Sequence, residues 1–338
     1  MSNYKEFYTY DLNKVIKTVT DRSARKILIQ LPDGFKAYAT SIVDELRNYL
    51  GHGVELVIDA NHIYGSCILN KHLSNYYDLI IHFGHEPYPY LNEVSHKVIF
   101  IDFLSNLRPS NRLINDLVKT LRSLDIRRTA VYATHQHKRA LTDIANALLS
   151  NGIELLNIND LSKSIIMGCW FSDALKYLDK CDGYVVISGG LFHSLGLGLH
   201  IRGVKHLIQV DLYRDEVKVI DDIVSKYLKV RYCKIMKALD ARTWCLIHGV
   251  EGQYRDNIRE VLIKAANGKG IRVYEAQSHI INYDVIRNID NSTIDAYVVT
   301  ACPRLPIDDL SELEKPVLTP GEALMVLNND ISNYVFPW

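Results

Sequence analysis

Three cysteines, Cys67, Cys169 and Cys302, stand in Tyr64-Gly65-Ser66-Cys67, Met167-Gly168-Cys169-Trp170 and Ala301-Cys302-Pro303-Arg304. Successive members lie more than a hundred residues apart, so a site using all three needs the whole fold to assemble it. A structural zinc site normally shows paired, short-spaced ligands such as C-x2-C, and the chain has none. Three thiolates without a fourth leave two options. One is zinc completed by a histidine or water; the other is a cubane 4Fe–4S cluster with one iron free of protein ligands. An open iron can bind a substrate directly and pass it an electron. Cys181, Cys233 and Cys245 take the ordinary reading of a cysteine, a small buried hydrophobe.

The elements that must position these thiols recur three times. The first pass opens with the apolar run Lys26–Leu31, closed by Pro32-Asp33-Gly34, which reads as a turn and helix start. Ala39, Ile42, Val43, Leu46 and Leu50 follow at the helical period, and Gly51 and Gly53 end that helix. Further strands are expected at Val54–Ile58, Leu79–Phe83 and Val98–Asp102. The second pass has a linking helix striped by Ile114, Leu117, Val118 and Leu121, then strands at Thr129–Ala133, Ile153–Asn157, Tyr184–Ser188 and His206–Val210. Its own helix carries Leu141, Ile144, Ala145 and Leu148. The third has a linking helix striped by Tyr232, Ile235, Met236 and Leu239, strands at Thr243–His248, Ile271–Glu275 and Ala296–Thr300, and a helix with Ile258, Val261, Leu262 and Ala265.

The third strands even look alike: Asp78-Leu79-Ile80-Ile81, Asp182-Gly183-Tyr184-Val185-Val186 and Asp295-Ala296-Tyr297-Val298-Val299. Such short, apolar, β-branched runs suit parallel strands covered on both faces. The fold expected is therefore α/β, with three related domains, 1–108, 109–228 and 229–338. Each would be a small, mainly parallel sheet flanked by helices, the three disposed with pseudo-three-fold symmetry. Ligands of such sheets bind off the carboxyl ends of the strands. Cys67 and Cys169 follow the second strand of their domain and Cys302 the third, which puts all three on that edge.

Other loops of that edge carry groups suited to an anionic ligand. Gly189-Gly190-Leu191-Phe192-His193 would let backbone N–H groups approach a carboxylate or phosphate. Gly249-Val250-Glu251-Gly252-Gln253-Tyr254-Arg255 lies between a strand and a helix N-terminus. Neither is a full nucleotide fingerprint, and each is also readable as an ordinary βα turn. His82-Phe83-Gly84-His85 ends a strand; His82 reads as a satisfied strand end, while His85 stays open as a ligand-facing group.

The bulk composition excludes several classes. The 338 residues are 48% hydrophobic and 23% charged, with 39 basic against 39 acidic side chains, so nothing points to a nucleic-acid or membrane surface. No secretory signal and no bilayer-spanning apolar run is visible, and six cysteines are too sparse for a disulfide scaffold. A reducing cytoplasm is the expectation.

At this point the chain resembles a known family. Leu31-Pro32-Asp33-Gly34, Tyr64-Gly65-Ser66-Cys67, His82-Phe83-Gly84-His85, Gly189-Gly190-Leu191-Phe192-His193, Gly252-Gln253-Tyr254-Arg255 and Ala301-Cys302-Pro303-Arg304-Leu305-Pro306-Ile307-Asp308-Asp309 look like segments of the archaeal diphthamide-biosynthesis enzymes, 2-(3-amino-3-carboxypropyl)histidine synthases. The resemblance runs in family order over about residues 26–322. It implies a homodimer and a 4Fe–4S cluster held by Cys67, Cys169 and Cys302, with S-adenosylmethionine on the open iron. Gly189, Gly190, His193, Gln253 and Arg255 then become candidate binding residues for that co-substrate. An electron donor would reduce the cluster, and a 3-amino-3-carboxypropyl radical would add to one histidine of translation elongation factor 2. Two departures, Ser66 and Ile68 flanking Cys67 where Ala and an acidic residue are expected, and Ser194 where proline is commoner, remove no ligand. Two other readings compete: a quinolinate-synthase-like 4Fe–4S dehydratase, and a non-catalytic scaffold subunit. No residue of the chain identifies itself as the proton acceptor.

Overall fold

The computed structural model describes residues 4–69, 71–90, 94–171 and 173–338. Two compact units emerge: one holds the residues up to Arg108 together with His135–Arg139, the other Pro109–Thr134 and Ala140–Trp338.

The first unit begins with a two-residue strand β1 (Tyr8–Thr9) and helix α1 (Leu12–Asp21), whose first turn is capped by the Asp11 carboxylate accepting from the Lys14 amide at 2.9 Å. Strand β2 (Lys26–Gln30), helix α2 (Ala39–Leu50), strands β3 (Glu55–Ile58), β4 (Leu79–Phe83) and β5 (Val98–Ile101) follow, and β6 (Leu104–Ser105) pairs back on β1. The main sheet runs β3-β2-β4-β5, all parallel. Helix α2 buries Ala39, Ile42, Val43 and Leu46, the stripe expected of it, against Ile27, Ile29, Leu79 and Ile81. Each such fully buried aliphatic side chain contributes roughly 1.5–3 kcal/mol.

The second unit contains two sheets. Helix α3 (Asn111–Ser123) leads into β7 (Arg128–Ala133), α4 (Lys138–Ser150), β8 (Glu154–Leu155), β9 (Gly183–Ile187), α5 (Phe192–His200), β10 (His206–Asp211) and β11 (Glu216–Val219). Helix α6 (Asp221–Ala238) then connects to β12 (Thr243–His248), α7 (Asp256–Gly268), β13 (Arg272–Gln277), α8 (Tyr283–Ile289), β14 (Ala296–Val299), α9 (Arg304–Ile307), β15 (Val317–Leu318) and α10 (Pro320–Asn328). The sheets run β8-β7-β9-β10, extended by the antiparallel β11, and β13-β12-β14-β15. Both repeat the strand order of the first unit. One continuous core joins them, from Tyr132 and Tyr184 through Ile235 and Trp244 to Phe336.

One polar device starts each of the three larger sheets. Asp78, just before β4, accepts the amides of Arg25 and Lys26 at 2.9 and 2.8 Å, at the head of β2. Asp182, before β9, takes those of Arg127 and Arg128 at 3.1 and 2.8 Å. Asp295, before β14, takes those of Arg242 and Thr243 at 2.9 and 2.8 Å. The shared aspartate thus ties the first and third strands of each sheet at their amino ends.

Several sequence expectations need correction. Strand β8 covers only Glu154–Leu155 because the Asn157 side chain takes over the ladder, accepting from the Val131 amide at 3.1 Å and donating to its carbonyl at 2.7 Å. Leu113 rather than Ile114 completes the buried stripe of α3. Val261 of α7 is exposed, and Leu262 and Ala266 face the core instead. Cys233 is exposed on α6, not buried. On α6, Met236 is also exposed, and the buried positions are Val224, Arg231, Ile235 and Ala238.

The unexpected member, Arg231, explains the rotation of that helix. Its Nε and Nη2 donate to the Glu322 carboxylate at 2.8 and 2.6 Å, and Nη1 and Nη2 donate to the carbonyls of Pro306 and Val317, both at 2.6 Å. Glu322 also accepts from the Tyr334 hydroxyl at 2.7 Å and from the Thr319 amide at 2.8 Å, closing a capping box on α10. The tail carrying Tyr334 and Phe336 therefore packs into its own unit. Among the described residues no helix is long and apolar enough to cross a membrane.

Arg231→Met should strand the Glu322 carboxylate and cost ~3–5 kcal/mol in denaturant unfolding, while adding Glu322→Gln should recover part of that loss. Unchanged stability of the single variant would show that the pair holds nothing together.

Candidate metal and ligand site

In the second unit, Cys169 sits at the tip of a tight reversal in which the amides and carbonyls of Met167 and Trp170 exchange hydrogen bonds of 2.8 and 3.2 Å. The preceding Gly168 lies against the Phe192 ring, where a Cβ would come within 1.9 Å of a ring carbon. Gly196, one turn into α5, likewise lies against Phe171. These close approaches seat the Cys169 loop on the start of α5. Arg304, two residues beyond Cys302, brings its guanidinium 5.3 Å from the centre of the same ring. Phe192 therefore joins the Cys169 and Cys302 loops.

The remaining candidates of this unit share that edge. Gly189 lies so close to Tyr213 that a Cβ would come within 2.7 Å of its ring, and the Gly190 carbonyl accepts from Gln209 at 2.7 Å. These glycines lead directly into Phe192 and His193 at the first turn of α5. Gln253, nearly buried, is seated by Gly249, whose position touches both Gln253 and Ala301, the neighbour of Cys302. Arg255 is only 8% exposed, with Nη1 3.5 Å from the Thr300 carbonyl and its guanidinium carbon 3.5 Å from the centre of the Trp338 ring. A cation held flat on an indole beside the Cys302 strand is suited to a carboxylate.

In the first unit, Cys67 occupies a single turn, Ser66–Ile68, after β3. The Ser66 hydroxyl donates to the Glu86 carbonyl at 2.6 Å, tying this turn to the loop after β4. Asp33 opens the helical turn after β2 as the sequence suggests, and its carboxylate accepts from the Ile63 amide at 2.8 Å and Lys36 at 2.7 Å and meets His62 at 2.7 Å. Burial opposes ionisation there, but these three donors outweigh it and bring the carboxyl down to about 2.

His82 is the satisfied strand end expected of it, and with His85 it continues a hydrogen-bonded row from Asp59 and Gln30, with links of 2.9, 3.1 and 2.9 Å. Several polar side chains of this unit were passed over by sequence reasoning. His135 stands between Glu86 and Asp102 at 3.4 and 3.3 Å, while Lys138 reaches Glu86 at 2.5 Å. The clustering of His135, His137 and Lys138 in one short segment was the available signal. Gln30 and Asp59 had none, since an isolated amide and a strand-end carboxylate look ordinary. Burial works against the His135 imidazolium, but the two carboxylates more than offset it and raise its pKa above the usual value.

The three cysteines of interest are all partly exposed, whereas Cys181 and Cys245 are buried and burial raises both their thiol pKa values, that of Cys245 to about 11. Partial exposure on the ligand edge suits thiolates that bind a soft metal centre. Among the described residues no three histidine, cysteine or carboxylate side chains stand grouped as a metal site.

Two outcomes are expected of these contacts. Gly168→Ala should cost ~1–3 kcal/mol by overpacking against Phe192 and alter the alkylation rate of Cys169 relative to Cys302; unchanged stability and reactivity would show the contact to be dispensable. The His135 ion pairs should stabilise fully below pH ~6.5 and be lost as pH rises through the raised folded pKa. A histidine titration by NMR with a midpoint at or below that value would contradict this.

The family model described as "Putative diphthamide synthesis protein" matches residues 31–335. A 2-(3-amino-3-carboxypropyl)histidine synthase of Pyrococcus horikoshii is 28% identical over 323 residues, 93% of this chain and 89% of that protein. One of Methanocaldococcus jannaschii is 25% identical, covering 95% and 91%. Subunit 1 of the Saccharomyces cerevisiae synthase is 26% identical, covering 96% and 76%. The crystal structure of Dph2 from Pyrococcus horikoshii with a 4Fe-4S cluster superposes with a TM-score of 0.81 at 25% identity, over 98% of this chain and 94% of that one.

Proposed function

Because the chain belongs to the diphthamide synthesis protein family, we propose that it transfers the 3-amino-3-carboxypropyl group of S-adenosylmethionine to a histidine of translation elongation factor 2. The observation that carries this reading is that Cys67, Cys169 and Cys302 each stand in a segment leaving the carboxyl edge of a different sheet, the three sheets sharing one strand order. A soft, three-thiolate donor set with partly exposed sulfurs fits a 4Fe–4S cluster. When bound, that cluster supplies one electron for cleaving the sulfonium.

The protein's own groups do the rest. On this reading Cys67, Cys169 and Cys302 would be the ligands of the metal centre. Arg255, stacked on Trp338, pairs with the co-substrate carboxylate, and Gln253 beside Ala301 offers its amide. The N–H groups of Gly189 and Gly190, with His193, line the approach at the start of α5. The sequence repeat and the common strand order also support a three-domain organisation, 1–108, 109–228 and 229–338, about a pseudo-three-fold axis. The working form is a cytoplasmic homodimer served by a separate one-electron donor.

Anaerobic purification should yield a coloured protein with iron and sulfide in equal amounts. Under reduction it should convert S-adenosylmethionine to methylthioadenosine and modify the elongation factor. A quinolinate-synthase-like dehydratase would form no methylthioadenosine, and a passive scaffold would hold no iron. Alanine at Cys67, Cys169 or Cys302 should remove the cluster and the activity. Cys245→Ala should keep both and cost about 1 kcal/mol of core packing. Full activity in Cys302→Ala would overturn the reading.

A further inference from the structure

Beside the close packing around Phe192, the second unit carries a ring of polar contacts at the carboxyl edge of its last sheet. His248 ends β12 and is buried. Its Nε2 faces the Glu275 carboxylate of β13 at 3.1 Å, and its Nδ1 faces the Thr300 hydroxyl, just after β14, at 2.8 Å. Glu275 is held in turn by Arg259 of α7, whose Nη2 donates to it at 2.7 Å and whose Nε reaches the same carboxylate. That guanidinium keeps the Glu275 carboxyl below its ordinary pKa, so the ionised group can only accept. His248 therefore carries a proton on Nε2. Burial outweighs the pull of Glu275 and holds the imidazole neutral near pH ~7. Arg259 and Asp256 of α7 are the other charges acting on it, and the Tyr254 ring meets it edge-on. Nδ1 is then an acceptor, and the Thr300 hydroxyl donates to it rather than to the more distant Ile247 carbonyl at 3.3 Å.

The ring closes on Arg255. The Thr300 carbonyl accepts from Arg255 Nη1 at 3.5 Å, and the Arg255 carbonyl accepts the Arg259 amide at 3.0 Å as α7 begins. Three strand ends and the start of α7 are thereby tied to one another. The Thr300 amide still pairs with the Ile247 carbonyl at 3.0 Å, and beyond it the chain turns away through Ala301 to Cys302. The bond from Thr300 to His248 prolongs the pairing of β12 and β14 by one side chain at that turning point. We infer that His248 is a positioning residue for the co-substrate carboxylate: it fixes Thr300, and Thr300 sets where the Arg255 fork stands relative to the Cys302 segment. The inference rests on the function proposed above, in which Arg255 takes that carboxylate. The Trp338 ring fixes the tilt of the guanidinium, and a carbonyl acceptor at its edge fixes its rotation within that plane. An apolar side chain at position 248 would take the shared partner from Glu275 and Thr300. A glutamine would keep one, since its amide offers one N–H group and one oxygen, as the neutral imidazole offers a donor and an acceptor.

The test has two arms. Long-range proton–nitrogen NMR on the full chain, histidine-labelled and without metal, should find His248 protonated on Nε2 alone at neutral pH, titrating below pH ~6.5. A His248 protonated on Nδ1, or on both nitrogens, at neutral pH would overturn the inference whatever the protein's function. In the anaerobic holoenzyme, His248→Leu should weaken S-adenosylmethionine binding ~10-fold, the loss expected when one orienting hydrogen bond to a charged group goes. Iron content should stay at the parent value, as should the affinity for methylthioadenosine, which lacks the carboxylate. His248→Gln should bind S-adenosylmethionine within ~3-fold of the parent. A merely structural role would lose iron or weaken both ligands alike, and either result would overturn the inference. So would parent affinity in His248→Leu, or a His248→Gln as weak as His248→Leu. A parent holoenzyme that does not bind S-adenosylmethionine would instead overturn the proposed function, with the His248 hydrogen bonds still decided by the NMR arm.

Discussion

One carboxylate placed between two backbone amides is the contact on which each sheet depends. Asp78, Asp182 and Asp295 each precede the third strand of a sheet and bind the opening amides of the first. Parallel neighbours need a long crossover, and nothing local holds their ends level. The aspartate does so at the amino edge, where the first strand's leading N–H groups lack a partner strand. With the amino ends level, the carboxyl ends emerge together. Gln30 and His82 become direct neighbours in the first sheet, and Ile247 and Val299 in the third, one residue before His248 and Thr300. Every chemically useful loop leaves from that edge.

The two units then use that edge differently. In the second, close packing does the positioning: glycines at 168, 189, 196 and 249 let aromatic rings and side chains sit where a Cβ would collide. Phe192 is held in this way beside the Cys169 loop and Arg304, while the Trp338 ring lies against Arg255. In the first unit polar groups do the positioning. Asp33, Ser66 and the row from Asp59 to His85 are arranged by hydrogen bonds between loops.

Much of this was legible in the chain. Strand positions, the three-fold recurrence and the exits of Cys67, Cys169 and Cys302 follow from apolar runs and their spacing, because parallel buried strands leave a strong local signal. Helix faces were less legible where a polar residue turned inward. Arg231 displaced Met236 from the core of α6 because Glu322, ninety-one residues later, completes its hydrogen bonds. Asn157 shortened β8 because its amide imitates a backbone peptide, which no hydrophobic pattern records. Cys233 looked like a core residue by its type and is exposed by its place on the helix.

By itself the sequence determined which residue types stand at the ends of which strands, and through them the fold class, the candidate thiolates and the family. Those properties depend on short-range periodicity and on the identity of single residues. Only the tertiary structure decided which of the polar side chains meet. Arg231 meets Glu322 91 residues later and His82 meets Gln30 52 residues earlier, while Arg255 meets Trp338 from another element altogether, and such contacts require ångström precision that spacing in one dimension does not encode.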